Sequence, residues 1–134
     1  MTESSSDLID LALFAIDHAT NSVVPEGGPL IPFAILEKEG GRSLHRFQAE
    51  RLEEMVAAGR AFVRGQEDLD RVAFAWDGYF TLDGVRSDAL FVEASEASAE
   101  SSLIFVQRYE TRGLFRKRAH TVGEPLQAGT GRLF

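Results

Sequence analysis

Between residues 71 and 122 apolar and polar side chains alternate in short runs, broken by Asp83-Gly84, by a small acidic stretch at 95–102 and by Gly113. A period of two sends successive side chains to opposite faces of a strand, so this pattern predicts an antiparallel meander. In residues 72–82 one face collects Val72, Phe74, Trp76, Phe80 and Leu82, read as facing a core. Ala73, Ala75, Asp77, Tyr79 and Thr81 take the other face. Asp83-Gly84 is a hairpin signal, because Gly accepts positive φ and Asp bonds the local backbone. Further strands are predicted at 88–94, 103–111 and 114–122. Residues 123–134 show Gly, Pro and Thr without periodicity and read as a C-terminal tail, which leaves 1–122 as one domain.

The first third of the chain changes period. Leu8, Leu11, Ala12, Ala15, Ile16 and Ala19 recur at helical spacing over residues 7–20. Ile9, Leu13 and Phe14 widen that stripe until little polar face remains, so the helix is expected to pack on two sides, against the sheet and against a partner chain. A strand at 30–39, a turn at Gly40-Gly41 and a returning strand at 42–47 follow. A second helix is predicted over 48–64. Its single apolar stripe runs through Leu52, Met55, Val56, Gly59, Phe62 and Val63, opposite a charged face. The expected architecture is α+β, in the order α-β-β-α-β-β-β-β. About six antiparallel strands carry both helices on one face.

A chain of 134 residues with 44% hydrophobic and 26% charged residues suits one globular core. It has no cysteine, which excludes disulfides, thiolate metal sites and cysteine nucleophiles. No apolar run is long enough to cross a bilayer, and the N-terminal residues lack the cationic flank of a signal peptide. A cytoplasmic protein without a membrane partner is expected. The net charge of −7 argues against nucleic acid as a partner. The charge is nonetheless uneven. Residues 1–107 carry 8 Lys and Arg against 19 Asp and Glu, whereas residues 108–134 carry 6 against 2.

Candidate chemistry is sparse. His18, His45 and His120 lack metal-ligand spacing, the serines lie in no nucleophile motif, and the glycine pairs do not form a phosphate loop. No cofactor and no metal are expected, and no catalytic residue is assigned. Two groups could face a ligand. Arg116, Arg118 and His120 share a strand face in the basic segment and would suit a small anion. Asp77 and Tyr79 flank Gly78, whose place in mid-strand is typical of a bulge that re-aims side chains. The reading that follows is a non-enzymatic interaction domain whose partner is another protein or its own copy. The alternatives are a small-molecule sensor with a pocket between the sheet and the second helix, and an enzyme using His120 on an anionic substrate.

Overall fold

The computed structural model describes residues 6–97, 99, 101–113 and 117–131. Its elements are α1 (Ser6–Val23), β1 (Phe33–Lys38), β2 (Gly41–Arg46), α2 (Leu52–Arg64), β3 (Arg71–Leu82), β4 (Val85–Glu96), β5 (Ser102–Arg112) and β6 (Arg118–Gly131). The α+β class and the order α-β-β-α-β-β-β-β are those the pattern predicts. All six strands join one antiparallel sheet in the order β2-β1-β3-β4-β5-β6. Two tight hairpins set its register. Asp83 (φ 52°) and Gly84 (φ 79°) close β3–β4, while Glu39 (φ 52°) and Gly40 (φ 80°) close β1–β2. Two successive left-handed residues match the right-handed twist of the strands they join. Among the described residues no helix is long and apolar enough to cross a membrane.

The helices do not share a face; this corrects the expected packing. α1 lays Leu8, Leu11, Ala12, Ala15, Ile16, Ala19 and Val23 on the side that carries Phe33, Ile35, Ala73, Ala75, Leu90, Val92 and Phe105. α2 lies on the reverse side, where Val63 meets Ala34, Leu36, Val72 and Phe74. The reason lies in β1 and β3. Phe33, Ala34, Ile35 and Leu36 are all buried, as are Val72, Ala73, Phe74 and Ala75. Strands dry on both faces need a cover on each side, and each helix supplies one. The small side chains Ala73 and Ala75 therefore do not face water. They let α1, itself alanine-rich along its buried stripe, approach the sheet closely.

α2 is seated just as closely. A Cβ on Gly59 would fall 2.3 Å from Phe74 Cε1, so only a bare backbone admits that ring. On the same face Phe74, Trp76, Phe91 and Phe80 form a ladder of rings with centroids 5.7, 5.3 and 6.3 Å apart. The Arg60 guanidinium lies 4.9 Å from the centre of the Trp76 ring and donates to the buried Glu93 carboxylate at 3.0 Å. Trp76 and Phe80 are half-buried rather than fully inward, because α2 covers β1 and β3 and stops short of the outer strands.

The segment expected as a tail is strand as far as Gly131. It escapes a reading by periodicity because the ladder with β5 slips twice, between Ile104 and Phe105 and between Val106 and Arg108. At the second slip the Gln107 amide donates to the carbonyls of Val122 (3.4 Å) and Gly123 (3.1 Å), so a side chain replaces the missing strand bonds. Gly123, at φ 69°, is a bulge residue and not a strand terminator.

Candidate functional site: a fork between two hairpin arms

At one end the sheet divides. The β4–β5 ladder stops at Asp88 opposite Tyr109, yet β3–β4 pairing continues to Leu82 opposite Val85, and β5–β6 pairing continues to Arg112 opposite Arg118. Beyond Asp88 and Tyr109 the sheet is thus two separate two-stranded arms. Two effects drive them apart. An isolated two-stranded ribbon twists more than a strand inside a wide sheet. The β6 bulge at Val106/Arg108 adds local twist beside the last shared pair.

Between the arms lies a cleft of about 440 Å³ whose walls include Tyr79, Val85, Arg86 and Asp88 from one arm and Arg108, Tyr109, Glu110 and Thr111 from the other. The alternation of antiparallel hydrogen bonding fixes which backbone groups look into it. A two-residue turn makes Leu82 and Val85 a mutually bonded pair, so Val85 and Ser87 bond back to β3 while Arg86 turns its N–H and C=O toward β5. Counting from the bonded pair Asp88–Tyr109, the group of β5 that faces it is Thr111. Arg86 and Thr111 therefore confront one another across the cleft without sharing a ladder.

Side chains line the cleft in two classes. Residues opposite one another in antiparallel pairing point the same way, so Asp77, Tyr79, Asp88, Tyr109 and Thr111 all lie on the α1 side of the sheet. Arg108, Glu110, Arg112, Arg118 and His120 lie on the reverse side. On the α1 side Tyr109 donates its hydroxyl to Asp77 Oδ1 (2.9 Å) and Oδ2 (3.0 Å), and the Leu30 N–H donates to Oδ2 (2.8 Å). Burial raises the Asp77 pKa above the ordinary carboxyl range and the charge of Asp88 adds to that, outweighing the Leu30 and Tyr109 hydrogen bonds that act in the other direction. Burial likewise lifts the Tyr109 phenol well above its usual range, helped by the nearby Asp77 and Asp88 carboxylates. Both Asp77 oxygens are thus engaged, and the carboxyl holds the 24–31 segment against the sheet. Gly28 sits where a Cβ would come within 3.0 Å of both Asp77 Oδ2 and the Tyr109 hydroxyl.

On the reverse side Arg108 is the singular residue. Its Nε is buried and has no hydrogen-bond partner, and its Nη2 lies over Gly123, where a Cβ would stand at 2.5 Å. Arg112 is paired with Glu110 at 2.8 Å. On the α1 side Arg86 stacks on Tyr79, 4.2 Å from the ring centre. Among the described residues no group of three or more His, Asp and Glu could hold a metal ion.

The residues singled out from the sequence are therefore divided. Tyr79, 63% exposed, stands on the wall of the cleft, while Asp77 lies buried in the adjoining recess on the α1 side, which Tyr79 also lines. Arg118 and His120 share one face, as the alternation predicts, but it is the opposite face of the sheet, and both are exposed there. Arg116 lies outside the described residues. His120 is opposite Glu110 in the ladder, and its exposed side chain makes no hydrogen bond or ion pair with any described residue. Arg108 belongs to the basic segment and Tyr109 to the aromatics that the sequence offers for a groove, whereas nothing in the sequence marks Asp88 or Thr111. Comparison with protein-family models, with curated proteins and with solved structures returns no match.

Proposed function

We propose that this chain is a non-catalytic binding domain that receives a segment of a partner protein between its two hairpin arms. The observation that carries the reading is the early end of the β4–β5 ladder. It leaves Arg86 and Thr111 presenting backbone donors and acceptors toward one another across a cleft of about 440 Å³. Unpaired strand edges of this kind are the substrate of recognition by strand addition. The charged residues along these two edges, Arg86, Glu110 and Arg112, discourage indiscriminate pairing.

Two alternatives are weaker. Self-association through α1 would rest on Leu13 and Phe14, each a little under half exposed, with Arg42 already covering the Phe14 ring at 4.7 Å. Two such side chains are a small part of the roughly 800 Å² per partner that a stable dimer buries. A small-ligand site between the sheet and α2 meets the close seating of Gly59 on Phe74. The recess that borders the cleft lies instead on the α1 side, against Gly28 and Pro29, and touches α2 at Leu52.

The test is selection of displayed random peptides on the immobilised protein, with the winners mapped by backbone amide shifts. Enriched peptides should perturb Arg86, Ser87 and Thr111. Enrichment of peptides that map to α1 or β2, or no enrichment at all, would remove the reading.

A further inference from the structure

We infer that the segment the fork accepts is a short extended peptide with acidic side chains at every second position, drawn to Arg108; this rests on the binding reading above. A strand lying between Arg86 and Thr111 must present its side chains alternately to the two faces of the sheet. The faces differ in chemistry. The reverse side offers Arg108, Arg112 and Arg118 against the single carboxylate Glu110, which Arg112 already neutralises. In a chain of net charge −7, this is where positive charge is in excess.

Arg108 supplies an independent reason. Its half-buried guanidinium lines the cleft with Nε unmet by any acceptor, and a carboxylate is the acceptor whose geometry matches a guanidinium. Arg108 also lies one residue from the end of the β4–β5 ladder, so an acidic side chain reaching it would belong to a peptide whose backbone is already level with Arg86 and Thr111. The α1 side has another preference. Its one cation beside the cleft, Arg86, is stacked on Tyr79, while Asp88 and the hydroxyls of Tyr79 and Thr111 admit apolar or donor-bearing side chains, and a second row of carboxylates there would meet Asp88 and the buried Asp77. The peptide should therefore alternate, with acids on one face only. The free edges are about three residues long on each arm, so the backbone contribution is small and the charged anchor decides which sequences bind.

The experiment uses the full chain, ¹⁵N-labelled, and four capped pentapeptides. These are Glu-Val-Glu-Val-Glu, its Gln and Lys counterparts at the acidic positions, and the Glu peptide with alternate backbone nitrogens methylated. The Glu peptide should move the Arg86 and Thr111 amides, and Arg108→Gln should weaken it about tenfold, the loss typical of one charge-assisted contact. Thermal unfolding of Arg108→Gln checks that the fold survives. Arg118→Gln, at an exposed position, gives a second reading and should weaken the Glu peptide by a smaller factor.

If the Gln or Lys peptide moves the same amides equally well, the acidic class is wrong while the fork reading stands. Equal binding of the methylated peptide would mean an anion site without strand pairing, and would overturn the proposal. If none of the four moves Arg86 or Thr111, the fork reading falls as well. A rise in sedimentation coefficient on dilution-reversible self-pairing, with the same two amides shifted, would assign the fork to a second copy instead.

Discussion

Tyr109 reaches over β4 to place its hydroxyl between the two oxygens of Asp77, joining β5 to β3 at the point where the sheet begins to divide. The same carboxyl accepts the Leu30 N–H, so one buried acid ties together two strands and the segment that follows α1. That arrangement ties the strands together where the arms part, and beyond it the Ala119 N–H of the β5–β6 arm donates to the Pro25 carbonyl at 2.8 Å.

Replacing Tyr109 by Phe keeps the ring and deletes the donor. Asp77, 7% exposed, would keep only its backbone donors Leu30 and Gly78. A buried acceptor deprived of its partner costs about 1–3 kcal/mol. The expected outcome is a loss of that size in the denaturant midpoint of Tyr109→Phe, with an unchanged m-value. A variant as stable as the parent would show that water replaces the hydroxyl at no cost.

The raised pKa of Asp77 has a sign that can be checked. Folding holds the proton on this group at pH values where the unfolded chain, titrating near 3.8, has released it. The folded state therefore binds more protons in that window, and stability falls as pH rises from the ordinary value through the raised one. Glu37 acts in the opposite sense. Burial would raise it, but the Arg71 and Arg42 hydrogen bonds and charges prevail and lower it, so its contribution is lost as pH falls below the ordinary 4.5. Comparing the parent with Asp77→Asn cancels Glu37. Unfolding curves from pH 3.5 to 8 should show Asp77→Asn gaining on the parent as pH increases, and parallel profiles would contradict the assignment.

Gly59 sits inside a helix, where alanine is ordinarily better by about 1 kcal/mol. Here the added methyl would stand 2.3 Å from Phe74 Cε1 and 2.7 Å from Cζ. Overpacking of this kind costs about 1–3 kcal/mol, so Gly59→Ala should destabilise despite the gain in helix propensity. Shortening the ring in Gly59→Ala/Phe74→Leu should recover part of the loss, giving a coupling of about 1 kcal/mol in a double-mutant cycle. Additive effects would mean that α2 does not rest on Phe74.

A chain ending at Val122 tests the far end of β6. If those residues were a tail, their removal would leave stability unchanged. The structure instead has Phe105 and Val106 opposite Gln127 and Leu126, and Gly131 against Glu93, where a Cβ would lie 2.6 Å from Oε2. The truncated chain should therefore unfold at a lower temperature by roughly 5 °C or more and, with the β5 edge uncovered, should aggregate at concentrations the full chain tolerates. Calorimetry and light scattering on the two chains decide it.

Much of this protein is written in its sequence because strand and helix periods are local properties. Alternation through residues 72–82 and the Asp83-Gly84 turn are enough to place β3 and β4, and the stripe of Leu8, Leu11, Ala12, Ala15 and Ile16 is enough to place α1. The class and the order of elements follow from those runs. What periodicity does not carry is which face of the sheet a helix takes. Both faces of β1 and β3 are apolar where they are central, so α1 and α2 separate only when the strands pair and demand two covers. Likewise Gly123 and Gly129 interrupt a pattern without ending a strand, since Gln107 repairs the ladder from the neighbouring chain segment. The fork is wholly tertiary. Nothing local in Asp88 or Tyr109 says that their ladder stops there. It stops because two twisted ribbons diverge, and that divergence sets Arg86 opposite Thr111.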